Sequence, residues 1–292
     1  MSITVKDLTY IYEAGTSYEK RALSHINLEI QPGEFVGLIG HTGSGKSTLI
    51  QHLNGLIRPT EGSVYYNGND IFSSREEGKK LRQKIGLVFQ YPEYQLFEMT
   101  VRKDVAFGPK NMGLPAEEVD RRVEAALKLV GLSEDVYDAS PFGLSGGQRR
   151  RAAIAGILAM EPEYLILDEP TAGLDPQGRE EILAQVAQLR EKRNMAVILV
   201  SHSMDDVAEH VDRILAMDAG EIRFDGTPEE VFSHEEELKA MGLDIPEATK
   251  LSNRLREKGY TIPGTILNLN QMCDWIRSAG LLKPETGKEA DQ

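Results

Sequence analysis

The chain has 292 residues and a formal net charge of −13, with 40% hydrophobic and 27% charged residues. This balance is typical of a globular protein with one large domain, with or without a small appendage. The acidic charge argues against a partner recognised mainly through a phosphate backbone, so no nucleic-acid partner is expected. The single cysteine, Cys273, excludes an internal disulfide and a cysteine-based zinc site, and we expect it to pack as a small apolar side chain on a helix.

Membrane-spanning helices are not expected, because no apolar run approaches the roughly 18–20 residues that such a helix needs. No signal peptide is recognisable, and together with the lone cysteine this favours the cytosol. Any membrane role is therefore expected to be peripheral and to act through a partner.

The first part of the chain alternates short apolar runs with turn signals, which is typical of strands. A helix is expected from Lys46 to Leu53, directly after a glycine-rich loop. The pattern becomes helical from about Val101 to Met160, and between Ala116 and Val130 the apolar side chains recur on one helical face. The strands predicted in this part are residues 25–30, 35–39, 63–66 and 85–89.

After Met160 the alternation of strand and helix resumes. This order, with a helical insertion in the middle, predicts an α/β fold in which a helical lobe at about residues 96–160 is attached to a central, mostly parallel sheet. The main domain is expected to span residues 1–226. The elements predicted after the insertion are strands at 164–167 and 196–200, a helix at 176–190, and strands near Ile214 and Ile222.

A different kind of segment begins at Thr227, where a capping hydroxyl followed by Pro228 is typical of a helix start. Short amphipathic helices are expected to form a C-terminal extension over residues 227–282. Two arrangements fit their apolar faces, which either cover the main domain or pair with another subunit. Residues 283–292 are expected to be a disordered tail.

The strongest local signal is a phosphate-loop pattern, two glycines separated by four residues and followed by Lys and Ser. The glycines let the backbone approach phosphates, and the following helix presents its positive N-terminus to the same anion. Lys46 is expected to reach the β- and γ-phosphates of ATP, and the Ser47 hydroxyl to bind Mg²⁺. The nucleotide-contacting residues predicted here are Gly40, His41, Thr42, Gly43, Ser44, Gly45, Lys46, Ser47 and Thr48.

A second nucleotide motif follows the apolar run that begins at Tyr164, where Asp168 and Glu169 stand at the end of a predicted strand. The carboxyl ends of strands are where α/β sheets hold their ligands. Asp168 is expected to support the metal ion. Glu169 is expected to orient the water that attacks the γ-phosphorus and to accept its proton.

The sequence also resembles a known family. Residues 144–148 (Leu-Ser-Gly-Gly-Gln) match the signature of ABC ATPases and lie between the two nucleotide motifs, as in that family. The resemblance implies a P-loop NTPase of the ABC ATPase type, with an antiparallel β subdomain beside the central sheet. It further implies that Ser145, Gly146, Gly147 and Gln148 face the γ-phosphate bound to a second ATPase subunit, so that ATP joins two subunits.

Further residues match that family one by one. Gln90, after the strand at 85–89, resembles the glutamine that senses metal and water. Asp175 resembles the acidic residue of the loop that crosses between subunits, and His202 the histidine that contacts the γ-phosphate. Tyr12 resembles the aromatic residue that stacks on adenine, and we favour it over the nearby Tyr10.

Two other groups of residues receive no chemical role. The triplet Arg149–Arg151 fits either charge support near a nucleotide or a neighbouring subunit, or a solvated helix face, and we favour the solvated face. No metal-ligand spacing links His25, His41, His52, His210 and His234.

Features outside the shared motifs separate transporter motors from soluble ABC ATPases that act on nucleic acid or the ribosome. The chain lacks the long coiled-coil insertion, the zinc cysteines and the tandem ATPase domains of such soluble members. It resembles the ATPases of the energy-coupling factor group, which import vitamins and transition-metal ions, and most of all the second of their two paralogues. The segments that carry this resemblance are residues 15–23, 90–97, 168–175 and 201–206.

Several partners follow from that resemblance. A second ABC ATPase subunit is expected, either a paralogue in a heterodimer or a second copy in a homodimer. A transmembrane coupling subunit and a small substrate-binding membrane protein would complete the assembly at the cytoplasmic face of the cell membrane. The segment Tyr91–Thr100, rich in aromatic and apolar residues, is the expected docking surface, although it also fits packing between the two lobes.

Overall fold

The apolar runs of the sequence form two sheets in the computed structural model, which describes residues 2–281. The strands are β1 (Ile3–Tyr12), β2 (Lys20–Ile30), β3 (Phe35–Gly40), β4 (Glu61–Tyr66), β5 (Asn69–Asp70), β6 (Ile85–Val88), β7 (Tyr164–Asp168), β8 (Ala196–Val200), β9 (Arg213–Asp218) and β10 (Glu221–Gly226). The helices are α1 (Lys46–Leu53), α2 (Arg75–Lys84), α3 (Val101–Asn111), α4 (Ala116–Leu129), α5 (Gly146–Leu158), α6 (Pro176–Arg193), α7 (Met204–His210), α8 (Pro228–Phe232), α9 (Glu235–Ala240), α10 (Glu247–Glu257) and α11 (Leu269–Ser278).

The central sheet has the strand order β10-β9-β3-β8-β7-β6. The strands from β9 to β6 in this order are parallel, and β10 adds an antiparallel edge. Every residue of β3 and β8 is buried. A parallel strand covered on both faces is apolar throughout rather than alternating, which is why these strands were predicted with nearly correct bounds.

The second sheet is antiparallel, with the order β2-β1-β4-β5. Leu49, Ile50 and Leu53 of α1 share a core with residues of this sheet, so the helix after the glycine-rich loop lies under it. β2 begins at Lys20 rather than at residue 25, because the ladder with β1 continues as far as the pair Tyr12–Lys20. Of the added residues only Leu23 is buried, and Lys20 and Arg21 are charged and exposed, so no apolar run marked them.

Three helices build the lobe inserted between β6 and β7. Val105 of α3, Val123 and Leu127 of α4, and Ile154 and Leu158 of α5 belong to one buried cluster. The predicted α/β architecture is confirmed, with its mostly parallel sheet, antiparallel subdomain and inserted helices. The domain limits at 226 and at 96–160 stay predictions.

Of the two arrangements predicted for the C-terminal helices, the structure shows contact with the main domain, and pairing with another subunit stays a prediction. Phe232 of α8 and Leu238 of α9 belong to the main core, so this part covers the main domain. The α10 backbone N–H of Glu247 donates to Asp205 Oδ1 of α7 at 3.0 Å. Met272 of α11 packs in a separate small cluster with residues from α10 and the loop between them. The predicted tail, residues 283–292, lies outside the described residues.

Two local features differ from what the sequence indicated. Cys273 is exposed, so its expected packing is wrong, because its neighbour Met272 takes the buried position on α11. The helix α2 had no prediction, since its sequence is rich in charge and only Gly78 and Leu81 are buried. Between residues 2 and 281, no helix has the length and apolarity to cross a bilayer.

Candidate active site

The glycine-rich loop lies between the end of β3 and the start of α1, and its shape depends on two glycines. Gly43 and Gly45 have φ of 86° and 108°, a region that side chains with a Cβ rarely adopt. A Cβ on Gly45 would also come within 2.7 Å of the Ala22 carbonyl oxygen, whereas one on Gly43 would meet nothing within 4 Å. Gly45 gives α1 no side-chain cap, so the first N–H groups of the helix are left for a ligand.

Two side chains of the loop are buried with polar atoms available to a ligand. The Lys46 ammonium donates to the carbonyl oxygens of Gly40 at 2.6 Å and of His41 at 3.1 Å, which leaves one N–H. Burial lowers the pKa of Lys46, partly offset by the charges of Glu169 and Asp168. The buried Ser44 hydroxyl has no hydrogen-bond partner among the described residues. These groups fit a phosphate chain.

The carboxylate of Glu169, directly after β7, contacts side chains that follow the two neighbouring strands. It accepts a hydrogen bond from Gln90 Nε2 at 3.0 Å, just after β6, and lies 2.8 Å from His202 Nε2, just after β8. The residue has φ of 50° and its N–H donates to the Val200 carbonyl at 3.0 Å, which directs the side chain at the end of β7. The three residues predicted as catalytic are therefore brought into direct contact.

Asp168 provides a second carboxylate beside Glu169. Burial raises its pKa and the charge of Glu169 raises it further, while Lys46 and His202 act in the opposite direction. The site thus brings together the carboxylate oxygens of Asp168 and Glu169. The amide oxygen of Gln90 and the hydroxyl oxygen of Ser47 add to them. Hard oxygen donors with surplus negative charge are what Mg²⁺ prefers, so these residues fit that ion.

A cleft of ≈ 470 Å³ beside these residues extends to the antiparallel sheet, and its lining includes Lys46, Ser47, Gln90, Glu169 and His202. Tyr12 lines it and Tyr10 does not, because the Tyr10 ring packs edge-on behind Tyr12, with ring centroids 4.8 Å apart. The Tyr12 hydroxyl lies 3.1 Å from Thr48 Oγ1, which ties the ring to α1. Lys20, opposite Tyr12 in the ladder, also lines the cleft. Lys20 was not among the predicted nucleotide contacts, because its segment, residues 15–23, carried only the family resemblance.

The signature residues lie outside this cleft in the same chain. Ser145 caps α5: its Oγ accepts from the Gln148 N–H at 3.3 Å, and Gln148 Oε1 accepts from the Ser145 N–H at 3.0 Å. Gly147 and Asp175 line a separate depression of ≈ 510 Å³. The Asp175 carboxylate accepts from the Gly178 N–H at 2.8 Å and so caps α6. One chain therefore exposes two separate halves of the predicted site.

The arginine triplet after the signature is only partly a solvated face, which corrects the prediction for Arg150. Its side chain is buried and forms an ion pair with Glu93. The cause is its place on α5, where Arg150, Ile154 and Leu158 follow at intervals of four residues on the buried face. That spacing was visible in the sequence, whereas nothing marked Glu93.

The segment from Tyr91 to Thr100 presents large apolar side chains to solvent. Tyr94, Phe97 and Met99 are exposed, and only Leu96 of these large residues is buried. Leu96 and Phe97 also line an apolar groove of ≈ 540 Å³ between α2, α3 and α5. Packing between the two lobes would have buried these side chains, so their exposure favours the docking interpretation.

Comparison with known proteins agrees with the geometry. The family model described as ABC transporter matches residues 23–172, slightly more than half of the chain. The chain belongs to the ABC transporter ATPases, and its activity is ATP hydrolysis coupled to transport.

Its relatives narrow the class further. The chain is 54% identical over 276 residues to the energy-coupling factor transporter ATP-binding protein EcfA2 of Caldanaerobacter subterraneus subsp. tengcongensis, covering 94% of this chain and 96% of the relative. The protein of the same name from Clostridium perfringens is also 54% identical, with 93% and 95% covered. The resemblance to the energy-coupling factor group is thus confirmed, and a soluble ATPase acting on nucleic acid or the ribosome is not favoured.

Solved structures give the same answer for the fold. The cbiO1 protein of Clostridium perfringens, described as part of the ABC transporter complex cbiONQ, matches with a TM-score of 0.72 and 42% identity, covering 82% of this chain and 93% of that one. The ATP-binding cassette MJ0796, a dimer in a post-hydrolysis state bound to ADP and Pi, matches with a TM-score of 0.70 and 32% identity, covering 77% and 98%. The predicted P-loop ABC ATPase fold is confirmed.

Proposed function

We propose that this chain is the ATP-hydrolysing motor subunit of an energy-coupling factor importer for vitamins or transition-metal ions. The observation that carries the proposal is the contact of Glu169 with both Gln90 and His202 inside the cleft of the glycine-rich loop. A carboxylate held between an amide and an imidazole, beside a phosphate-binding loop, is suited to orient water for attack on a phosphoryl group.

Each side chain of the cleft has a distinct part in this reaction. Glu169 accepts the proton of the attacking water, and Gln90 orients that water through its amide. Lys46 and the free N–H groups at the start of α1 bind the phosphate oxygens, and His202 donates to the γ-phosphate. The Tyr12 ring, exposed along the edge of the cleft, stacks on the adenine.

Mg²⁺ belongs to the same proposal. Ser47, Gln90 and Asp168 would hold the ion, which supplies positive charge next to the phosphates when bound. The surplus of carboxylates around Lys46 supports this assignment, because a single ammonium leaves Asp168 and Glu169 only partly compensated.

A second ATPase subunit completes each site in this proposal. In the signature Ser145–Gln148, Ser145 and Gly146 are exposed and the next two residues are half-buried, and the whole signature lies outside the cleft of its own chain, so it is free to meet the cleft of another. The helix N-terminus at Gly146 supplies N–H groups for the γ-phosphate bound to that partner. Asp175 lines the same depression as the signature residue Gly147, where the two subunits would meet. The dimeric state of MJ0796 supports this arrangement, which accommodates a second copy or a paralogue.

The membrane partners follow from the relatives and from one surface. A transmembrane coupling subunit would dock on the exposed aromatic segment Tyr91–Thr100, which leads directly from Gln90. A small substrate-binding membrane protein would select the cargo. The chain would then work as a peripheral protein at the cytoplasmic face of the cell membrane, and the cbiONQ complex of the cbiO1 relative supports such an assembly.

Isolation of the native assembly tests this proposal. The tagged chain is recovered from gently solubilised membranes of its own cell, and co-purifying proteins are identified by mass spectrometry. We expect a second ATPase, a polytopic membrane subunit and a small membrane protein. A recovery dominated by ribosomal proteins or nucleic acid, without a membrane subunit, would refute the importer assignment.

A further inference from the structure

A single buried arginine joins three segments around the site. Arg150 lies in the second turn of α5, and its guanidinium binds the Glu93 carboxylate through Nε at 3.2 Å and Nη2 at 3.1 Å. Its Nη1 donates to the backbone carbonyl oxygens of Pro170 at 3.2 Å and of Ala172 at 2.5 Å. The Tyr91 ring lies over the same guanidinium, 6.0 Å from its carbon.

These partners lie immediately next to two residues of the proposed chemistry. Glu93 follows Gln90 by three residues, and Pro170 follows Glu169 directly. Gln90 and Glu169 are themselves joined by the 3.0 Å hydrogen bond. Arg150 therefore ties together the two loops whose separation determines whether that bond can form.

The chemistry of this contact requires an arginine. Arg150 is 3% exposed and the Glu93 side chain 14%, so water competes little for either group. The flat guanidinium presents several N–H groups in fixed directions, and here it serves a carboxylate on one side and two carbonyls on the other. A lysine ammonium is a point charge and cannot span the same set of acceptors.

The same helix also carries the signature. Ser145 caps the first turn of α5, and Arg150 follows in the second turn. A helix of this length moves as a rigid element, so a shift of the signature end moves the guanidinium with it. The geometry of Gln90 and Glu169 is thereby linked to the position of a surface that faces another chain.

We propose that Arg150 is a positioning residue, which holds the Gln90 loop against the Glu169 loop and makes their hydrogen bond depend on the position of the signature helix. The proposal rests on the roles proposed above for Gln90 and Glu169. Arg150 touches no reacting atom in this account, and its effect on turnover passes through the Gln90–Glu169 contact.

Steady-state ATP hydrolysis tests it on the full chain, in the assembly in which the chain purifies. Arg150→Lys keeps the positive charge but loses the flat guanidinium with its several N–H donors. We therefore expect kcat to fall about tenfold while KM for ATP stays within about threefold. Thermal unfolding is measured alongside to show that the variant folds.

Arg122→Gln is the matched control. Arg122 is also a largely buried arginine of the helical lobe, where it binds the Glu118 carboxylate at 2.7 Å and the Met160 carbonyl at 3.2 Å. It contacts neither of the two loops. We expect Arg122→Gln to leave both kcat and KM within about twofold of the wild type.

A double-mutant cycle separates positioning from a general structural role. In a Gln90→Ala background the supported hydrogen bond is gone, so Arg150→Lys is expected to lower kcat by less than about twofold. A loss of about tenfold that persists in this background would overturn the proposal, as would a kcat for Arg150→Lys alone within about twofold of the wild type.

Glu169→Gln distinguishes failure of this inference from failure of the proposed site. If Glu169→Gln abolishes turnover while Arg150→Lys does not lower it, only the positioning role fails. If Glu169→Gln leaves turnover unchanged, the proposed site itself fails, and the role of Arg150 fails with it.

Discussion

Two helices begin with glycine-containing anion motifs, and their N-termini differ in what surrounds them. The start of α1 has no side-chain cap and opens into a cleft with Lys46 and Glu169. The start of α5 is capped by Ser145 in a reciprocal arrangement with Gln148 and lies at the surface. We therefore propose that the first is a binding site with its own charges and that the second is one wall of a site completed by another chain.

This difference assigns separate tasks to the two motifs. The cleft at α1 has the groups proposed to bind and hydrolyse a nucleotide, and no residue of the signature lines it within residues 2–281. The signature at α5 has helix N–H groups suited to an anion. The charged residues that line its depression are Arg151, Asp175 and Glu181, and none of them is a predicted catalytic residue. Substitutions at the two places should therefore affect binding and turnover differently.

The largest expected effect concerns Glu169, the proposed catalytic carboxylate of the cleft. Glu169→Gln is isosteric but removes the proton acceptor, so we expect turnover to fall about a thousandfold. ATP binding should persist, because Lys46 and the loop are untouched. Phosphate release and equilibrium binding of a fluorescent ATP analogue measure the two quantities, and turnover at the wild-type rate would disprove the role of Glu169.

The next largest effect is a loss of binding in the cleft. Lys46→Ala removes a charged hydrogen bond to phosphate from a buried position, and we expect the Kd for ATP to rise about hundredfold. Lys239→Ala is a suitable control, since Lys239 is an exposed lysine of α9 paired with Glu235. Equal affinities for the two variants would show that Lys46 does not bind the nucleotide.

A substitution in the signature should give the complementary result. Gly147→Asp places a negative charge where the partner's γ-phosphate is expected, so turnover should fall about fiftyfold through like-charge repulsion. A Cβ at Gly147 would meet nothing within 4 Å, so the fold of the chain should tolerate the change. Binding of ATP to the isolated chain should stay within about threefold, because Gly147 lies outside the cleft. A loss of binding equal to that of Lys46→Ala would remove the distinction between the two motifs.

The smallest of these effects concerns adenine recognition. Tyr12→Ala removes an aromatic face from the cleft, and we expect the Kd for ATP to rise about tenfold. Tyr12→Phe keeps the ring and loses only the contact with Thr48, so its Kd should lie within about twofold of the wild type. Similar affinities for Tyr12→Ala and the wild type would assign the stacking to another residue.

The cleft was largely predictable from the sequence because its parts are local. Lys46–Leu53 and Ala196–Val200 have the bounds predicted for them, since a phosphate-loop motif marks the helix and a continuous apolar run marks the strand. Asp168, the last residue of β7, and Glu169, directly after it, are marked by an apolar run in the same way. The meeting of Gln90, Glu169 and His202 follows from three parallel strands that end at one edge.

The features that the sequence did not predict depend on tertiary contacts. Arg150 is buried because Glu93 and two carbonyls lie opposite it, and a charged triplet gives no sign of such partners. Lys20 reaches the cleft because β2 extends beyond its apolar run. Cys273 is exposed because α11 packs on its neighbours through the adjacent Met272, which turns the cysteine toward solvent.

The central claim is that the cleft of one chain is closed by the signature of another when ATP binds. Amide hydrogen exchange of the Glu169→Gln assembly, with and without ATP and Mg²⁺, tests it most directly. We expect ATP to slow exchange both at the Gly40–Ser47 loop and at Ser145–Gln148, although the latter lies outside the cleft of its own chain. Protection confined to the loop, with Ser145–Gln148 exchanging as fast as before, would contradict the account.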